Sequence, residues 1–174
     1  MLRANRQAPT GLAMIAAAFT VTALCGIFVF GARDFVLYNP SISIARGFYV
    51  RTSATLTLGA IVTVRAVDVS PAYAALRGFT EPGDRFIKRV VAARGQMVCS
   101  RGDELSIDGV IVAHRFDHDA AGRDLPNWEG CRLLGQGEFL LLGDTADSFD
   151  GRYWGPVSAQ AIEGVWRPLQ FGMH

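Results

Sequence analysis

This sequence has almost no lysine. Its seventeen basic side chains are sixteen arginines and a single lysine, Lys88. Arginine stays protonated in proteins, whereas a buried lysine can lose its proton and act as a base. The single lysine is therefore a candidate functional residue in a chain that otherwise uses arginine for positive charge, and codon bias is the alternative explanation.

Runs of like charge are also missing. The net charge is +1, with neither a basic tract nor an acidic tail, so nothing in the composition indicates nucleic-acid binding. Half of the residues are hydrophobic and 19% are charged. That balance excludes a disordered chain and fits one globular domain with one membrane segment.

Histidine is scarce: the sequence contains only His114, His118 and the terminal His174. A Ser-His-Asp triad or a metal site could be drawn from the first two, but no motif supports either. They share the polar stretch HRFDH, for which a solvated hairpin end is the simpler interpretation. The sequence predicts no metal ion and no cofactor.

Only two of the three cysteines, Cys99 and Cys131, lie outside the long apolar run that contains Cys25. Such a pair forms a disulfide in an oxidising compartment or stays as two buried thiols in a reducing one. The location predicted below favours the disulfide.

Residues 11–32 form the apolar run and contain no charged side chain. As a helix they would span about 33 Å, against about 30 Å for the hydrocarbon core of a bilayer. The run is longer than the apolar core of a signal peptide, so we interpret it as a retained anchor rather than a removed leader.

The basic residues set the orientation of this anchor. Arg3 and Arg6 precede the run, which predicts a cytoplasmic segment at 1–10 and an exported domain at 33–174. In a bacterium this is a single-pass inner-membrane protein with its domain in the periplasm.

The exported part has a mostly β pattern with glycine turns, including a strong hairpin signal at Asp108-Gly109. A short helix at 71–78 begins with proline and ends with glycine, and residues 116–130 are polar and turn-rich. We predict a mainly β fold in which an antiparallel sheet closes partly into a small barrel. The predicted strands are Gly47–Thr52, 60–67, Arg85–Ala92, 96–98, Glu104–Ile107, 110–113, 137–142 and 161–169.

Ser41 and Ser43 follow the apolar run and are candidate nucleophiles. A serine hydroxyl needs a base, and Lys88 qualifies if it is desolvated, because a lysine in water has a pKa of about 10.4. If FIKRV forms a strand, Phe86, Lys88 and Val90 share one face, which points the lysine with two apolar side chains towards a core or cleft. We therefore predict that Ser43 is a nucleophile activated by Lys88.

A third polar stretch reads LLGDTADSFDGRYWGPV from 141 to 157. One interpretation is a tight structural loop in which Asp150 pairs with Arg152. The functional interpretation adds Ser148 as a hydrogen-bond partner that orients a nearby lysine. Spacing alone does not choose between the two.

Together the three stretches resemble the bacterial type I signal peptidase (leader peptidase) family, whose hydrolases use a Ser/Lys dyad. The resemblance is carried by YNPSISIARGFY at 38–49, GDRFIKRV at 83–90 and GD…SFDGRYWG at 143–155. Within the family it is greatest to the conjugative-transfer peptidases of the TraF type, which mature the pilin of a mating-pair apparatus and in some cases join its ends into a ring. The family pattern has proline where this chain has Ala45.

The resemblance implies a role for each matching residue. Ser43 attacks the scissile carbonyl, and Lys88 takes the proton. The Ser43 backbone N–H and the Ser41 hydroxyl form the oxyanion hole, and Ser148 orients the lysine. The residues implied to support the loop that presents Ser148 are Asp144, Asp150 and Arg152.

The resemblance also implies the partners. The substrate is an exported, pilin-like precursor polypeptide bound in extended form, with small residues near the cut. The anchor keeps the site at the inner membrane, where contacts with the conjugative transfer machinery are expected. Three rival interpretations are a general type I signal peptidase acting on secretory leader peptides, a non-catalytic membrane-anchored assembly factor of a transfer or secretion apparatus, and a self-cleaving Ser/Lys regulator.

Overall fold

The structure is a computed structural model, in which contacts divide the chain into two units, Met1–Asp34 and Phe35–His174. The residues that it describes are 11, 14–16, 18–20, 22 and 35–169. In the first unit the described backbone is helical, and Thr20 and Thr22 donate their hydroxyls to backbone carbonyls four residues earlier.

The predicted cytoplasmic segment at 1–10 lies outside the described residues, as does most of the predicted anchor at 11–32. Within the described part of the chain, none of the helices has both the length and the apolar character needed to cross a bilayer.

Residues 35–169 form eleven strands, three short α-helices and one 3₁₀ turn. The strands are β1 (Val36–Asn39), β2 (Gly47–Thr52), β3 (Ile61–Arg65), β4 (Arg85–Ala92), β5 (Met97–Arg101), β6 (Glu104–Ile107), β7 (Val110–His114), β8 (Gly130–Leu133), β9 (Glu138–Leu142), β10 (Val157–Ser158) and β11 (Ile162–Pro168). The helices are α1 (Ala66–Val69), α2 (Pro71–Leu76) and α3 (Gly151–Trp154), and the 3₁₀ turn is Ala159–Ala161.

The strands make two antiparallel sheets. The larger sheet has the order β1-β2-β11-β3-β4-β9-β10, and the smaller has the order β7-β6-β5-β8. Strand β4 is interior, with β3 on one side and β9 on the other. Its central position matters for function because β4 carries the single lysine.

The main core lies between the two sheets. Leu140 and Leu142 of β9 pack with Val98 of β5 and Leu105 of β6. Because successive side chains of a strand point to opposite faces, β6 gives the alternate residues Leu105 and Ile107 to this core, and β9 gives Leu140 and Leu142. Burial of each such side chain contributes roughly 1.5–3 kcal/mol.

The mainly β, antiparallel fold is confirmed, but the predicted closure into a barrel is wrong. Within residues 35–169 the larger sheet ends at β1 and β10, and the smaller at β7 and β8. The smaller sheet covers one part of the larger sheet, around Leu140 and Leu142, while Val62, Val64, Val90 and Leu141 form a buried cluster within the larger sheet itself.

Several element boundaries also differ from the predicted ones. The strand predicted at 60–67 stops at Arg65, where the chain turns into α1, a helix that was not predicted. The helix predicted at 71–78 ends at Leu76 because Gly78 adopts a left-handed conformation with φ of 69°. Strand β8 begins at the end of the stretch predicted as polar loop, at 116–130.

Cys99 and Cys131 face each other across β5 and β8 and are joined by a disulfide. Strand β8 is an edge strand whose four residues are all exposed. It therefore has little apolar burial of its own, and the disulfide fastens it to the smaller sheet.

We expect that reduction of this disulfide lowers the free energy of unfolding by about 2–4 kcal/mol, because it opens a loop between cysteines 32 positions apart. Denaturant unfolding of the Cys25→Ser full chain, with and without reductant, measures the change. The double variant Cys99→Ser/Cys131→Ser is the control, and its unfolding should not respond to reductant. Equal midpoints for the oxidised and reduced Cys25→Ser chain would contradict the expectation.

Candidate active site

Ser43 lies in the loop between β1 and β2, and its neighbour Ile44 fixes that loop. Ile44 is fully buried and packs in a cluster with Tyr49, Ile87 and Trp166. The loop cannot shift without exposing Ile44 to water, which costs about 2 kcal/mol or more. Because Ile87 precedes the lysine on β4, this packing also ties the serine loop to the lysine strand.

Asn39 is a second anchor of the loop, and it is buried. Its side-chain N–H group donates to the backbone carbonyls of Ile44 at 2.8 Å and of Ser41 and Ala45 at 3.2 Å. Its side-chain oxygen accepts from the Ser41 N–H at 3.1 Å. This role of Asn39 was not predicted from the sequence, although an asparagine just before a proline is typical of such a side-chain turn.

Lys88 points into the protein from the middle of β4, with 4% of its surface exposed. Val90, two positions on, is also buried, and the Phe86 ring centroid lies 5.9 Å from the Lys88 Nζ. Arg89 points away from Lys88 and forms an ion pair with Asp144 at 2.8 Å. This is the arrangement that strand alternation predicts.

Three serine side chains lie near the end of the Lys88 side chain. The Nζ lies 3.0 Å from the Ser43 Oγ and 3.1 Å from the Ser148 Oγ. The Ser41 Oγ lies 3.0 Å from the Ser43 Oγ. Three segments that are distant in sequence therefore form a hydrogen-bonded series that runs from Ser41 through Ser43 and Lys88 to Ser148.

Burial lowers the pKa of Lys88 to about 8, because a charged ammonium is poorly hydrated inside the protein. The negative charge of Asp150 acts in the opposite direction, and the positive charge of Arg152 reinforces the decrease. An appreciable fraction of the Lys88 amine is therefore neutral near pH 7. A neutral amine 3.0 Å from a serine hydroxyl can accept its proton.

The loop after β9 presents Ser148 and is held by a buried ion pair. Asp150 is fully buried, and both of its oxygens accept hydrogen bonds from the Arg152 guanidinium at 2.9 Å. The same carboxylate accepts from the Gly143 N–H at 2.8 Å, and Arg152 also donates to the carbonyls of Thr145 and Ala146. The pair thus closes the loop on itself around Ser148.

Asp144 lies at the start of the loop that presents Ser148 and contacts two neighbouring segments. Its carboxylate takes both hydrogen bonds from Arg89, and its backbone N–H donates to the carbonyl of Ser43. Asp144 therefore ties the start of the loop that presents Ser148 to β4 and to the serine loop.

Gly143 leaves the space in which Ser43 and Ser148 approach each other. A Cβ atom at this position would lie 2.2 Å from the Ser148 Oγ and 2.9 Å from the Ser43 carbonyl oxygen. The motif at 143–155 does not reveal this close approach, because it depends on contacts distant in sequence.

His114 and His118 pair with carboxylates and not with Ser41, Ser43 or Ser148. His114 pairs with Asp103 at 3.3 Å and His118 with Asp124 at 3.0 Å, and all four side chains are more than half exposed. Among the residues that the structure describes, no group of three or more His, Cys, Asp and Glu side chains is placed to hold a metal ion.

Ser43 and Lys88 lie in a cleft of about 650 Å³. Its walls are mainly apolar and come from four parts of the chain: the serine loop, the end of α2 with the start of β4, the segment 116–125, and the loop that presents Ser148. The aromatic residues that line it are Tyr73, Phe79, Phe86, Phe116, Phe149 and Tyr153. A cleft of this size can hold several residues of an extended peptide.

The chain belongs to the signal peptidase, peptidase S26 family, whose sequence model matches residues 9–169. Two relatives from Escherichia coli are each named plasmid transfer protein TraF. One is 35% identical over 142 residues, covering 75% of this chain and 80% of its own, and the other is 32% identical over 167 residues, covering 90% and 92%. These matches confirm the resemblance found in the three motifs.

Among solved structures, a signal peptidase I from Enterococcus faecalis V583 matches with a TM-score of 0.38 and 22% identity. The match covers 66% of this chain and 98% of that chain.

We expect Lys88 to titrate near pH 8 rather than at its ordinary value near 10.5, because burial disfavours its charged form. The full chain contains one lysine, so carbon-13 labelling of the lysine Cε gives a single signal that needs no assignment. An Arg94→Lys chain adds an exposed lysine as an internal reference, which should titrate near pH 10.4. A Lys88 midpoint at or above pH 10 would show that the amine is not desolvated.

We expect Gly143→Ala to displace Ser148 or the Ser43 backbone, because the new methyl group would overlap both. The destabilisation should be about 1–3 kcal/mol in the free energy of unfolding, and the Lys88 midpoint should move as its partners shift. Gly83→Ala is the matched control, since a Cβ there has nothing within 4 Å. The two variants are compared by denaturant unfolding and by the same lysine titration. Equal stability and an unchanged midpoint in Gly143→Ala would contradict the close approach.

Proposed function

We propose that this protein is a membrane-anchored serine endopeptidase in which Ser43 is the nucleophile and Lys88 the general base. The observation that carries the proposal is the buried Lys88 amine, 3.0 Å from the Ser43 hydroxyl, with burial favouring its uncharged form. Membership of the signal peptidase family supports peptide-bond cleavage as the reaction.

In the first step, the Ser43 Oγ forms a bond to the scissile carbonyl carbon, and its proton moves to the Lys88 Nζ. The Lys88 ammonium then gives that proton to the leaving amine as the C–N bond breaks, which leaves an acyl-enzyme. In the second step Lys88 takes a proton from the incoming water as its oxygen bonds to the acyl carbon. Lys88 then gives that proton to the Ser43 Oγ as the acyl–Oγ bond breaks, which restores both groups. Ser148 accepts a hydrogen bond from Lys88 and keeps the amine directed towards Ser43 throughout.

Negative charge develops on the carbonyl oxygen during the attack, and hydrogen-bond donors are needed to stabilise it. The Ser43 backbone N–H makes no hydrogen bond to another backbone group within residues 35–169, and the Ser41 hydroxyl lies beside the nucleophile. We assign both as the oxyanion hole. Loss of one such donor typically raises the barrier by about 2.7–4 kcal/mol.

The substrate that we propose is an exported, pilin-like precursor of a conjugative transfer system. Support comes from the two relatives named plasmid transfer protein TraF, which match most of this chain. Residues 11–32 are proposed as the inner-membrane anchor and residues 33–174 as the periplasmic peptidase domain, because the run lacks charge and basic residues precede it. In this location the site would meet a membrane-bound precursor and other parts of the transfer machinery.

The acyl-enzyme has two possible acceptors. Water gives hydrolysis, whereas the N-terminal amine of the same substrate gives a ring. Incubation of the full chain with the candidate pilin precursor, followed by intact mass measurement, distinguishes them. Loss of the removed segment alone indicates hydrolysis, and a product lighter by one further water indicates cyclisation.

We expect Ser43→Ala and Lys88→Met to lower precursor cleavage by at least about 1,000-fold and 100-fold, respectively. Cleavage by the unaltered chain should rise with pH up to about 8 and then level, because the neutral fraction of Lys88 grows through its pKa. Ser53→Ala is the control, since this serine is exposed and lies outside the cleft. Full cleavage by both altered chains would overturn the roles of Ser43 and Lys88, whereas no cleavage by the unaltered chain would favour a non-catalytic assembly factor.

A further inference from the structure

Arg77 lines the same cleft as Ser43 and Lys88, yet the chemistry above does not use it. It follows the last residue of α2 and caps that helix. Its guanidinium carbon lies 5.0 Å from the centroid of the Phe79 ring and 5.7 Å from that of Tyr73. Its Nη1 donates a hydrogen bond to the Tyr73 hydroxyl at 3.3 Å.

The other arginines of the cleft are paired with carboxylates. Arg123 pairs with Asp119 at 2.7 Å, and Arg85 pairs with Glu163 at 2.7 Å. By contrast, no carboxylate within residues 35–169 forms an ion pair with Arg77. Its partners in the described part of the protein are the Tyr73 hydroxyl and two aromatic rings, and none of them neutralises its positive charge.

The support under Arg77 is rigid. Tyr73 is buried, and its hydroxyl donates to the Asp119 carboxylate at 2.8 Å. The Tyr73 ring also packs on Phe149, with centroids 4.0 Å apart. Because Phe149 follows Ser148 in the chain, the surface that carries Arg77 is continuous with the loop that orients Lys88.

An arginine held by aromatic rings keeps N–H donors free, and their planar arrangement matches both oxygens of a carboxylate. Little side-chain entropy remains to be lost on binding, since the rings already restrict the guanidinium. The site therefore has the chemistry of a carboxylate receptor within the peptide cleft.

We propose that Arg77 is a specificity-determining residue that binds a carboxylate of the substrate close to the scissile bond. The carboxylate belongs either to an Asp or Glu side chain or to the free C-terminus of a short segment removed by the enzyme. This inference rests on the proposed peptidase function, because it assumes that the cleft binds a peptide.

Binding to the full-length Ser43→Ala chain tests this inference without cleavage. The probes are fluorescein-labelled decapeptides of alanine and glycine in which one position at a time carries Glu, Gln or Lys. A second set differs only in having a free or an amidated C-terminus. Fluorescence anisotropy at low salt gives the Kd of each peptide.

We expect at least one acidic peptide, or the free-acid peptide, to bind about 10-fold more tightly than its neutral partner. The Glu series and the C-terminal pair show which source of the carboxylate is used. The preference should shrink at 0.5 M salt, because part of it is electrostatic attraction at an exposed side chain.

Three further substitutions in the Ser43→Ala chain assign the preference to Arg77. Arg77→Gln should remove it, while Arg94→Gln, the same change at an exposed arginine outside the cleft, should retain it. Arg77→Glu should bind the corresponding Lys peptide more tightly than the Glu peptide, a reversal that misfolding cannot produce.

The inference is overturned if no acidic or free-acid peptide is preferred, or if the preference survives Arg77→Gln. Cleavage assays with Ser43 intact separate this result from the peptidase proposal. Efficient cleavage without an Arg77-dependent preference would count against the carboxylate site alone. An Arg77-dependent preference without cleavage would count against the peptidase step alone.

Discussion

The contact between the Lys88 amine and the Ser43 hydroxyl requires an ionisable nitrogen inside a β-sheet fold, where a charged ammonium loses several kcal/mol of hydration. The protein surrounds this nitrogen with hydroxyl oxygens, from Ser43 and Ser148, rather than with carboxylates. A carboxylate at either position would hold the lysine in its charged form and remove its value as a base. The hydroxyls satisfy its hydrogen bonds in either protonation state, so its pKa can fall to about 8.

The charged side chains near Lys88 form ion pairs with each other, which stabilise loops and leave the Lys88 amine without a carboxylate partner within residues 35–169. Asp150 is bound on both oxygens by Arg152, and Asp144 on both oxygens by Arg89. Arginine suits these positions because its planar fork binds a carboxylate at two points and does not lose its proton. A lysine in either position would form a weaker brace and a second titrating amine. The scarcity of lysine in the sequence is thus consistent with the chemistry of the site.

Local pattern was enough to predict the face of Lys88, because side chains alternate along a strand wherever that strand lies. It was not enough to predict α3, since the sequence around Gly151 contains glycine and aromatic residues that are equally compatible with a loop. The helix forms because the buried Asp150 accepts a hydrogen bond from the N–H of Arg152 and caps its first turn. Barrel closure was predicted wrongly for a similar reason, since strand patterns show that a face is apolar but not what covers it.

For the cleft, likewise, the sequence predicted the reactive side chains but not the overall shape. The serine loop, the start of β4 and the Ser148 loop belong to the three motifs and were identified from the sequence. The other walls include the end of α2 and the segment 116–125. From the sequence, these were predicted only as a short helix and a polar stretch. The Asp119 carboxylate joins these two walls by accepting from Tyr73. Changes confined to them can alter the shape of the cleft while the amine and the hydroxyls stay in place. Under the proposed function, one catalytic arrangement could therefore serve different precursors.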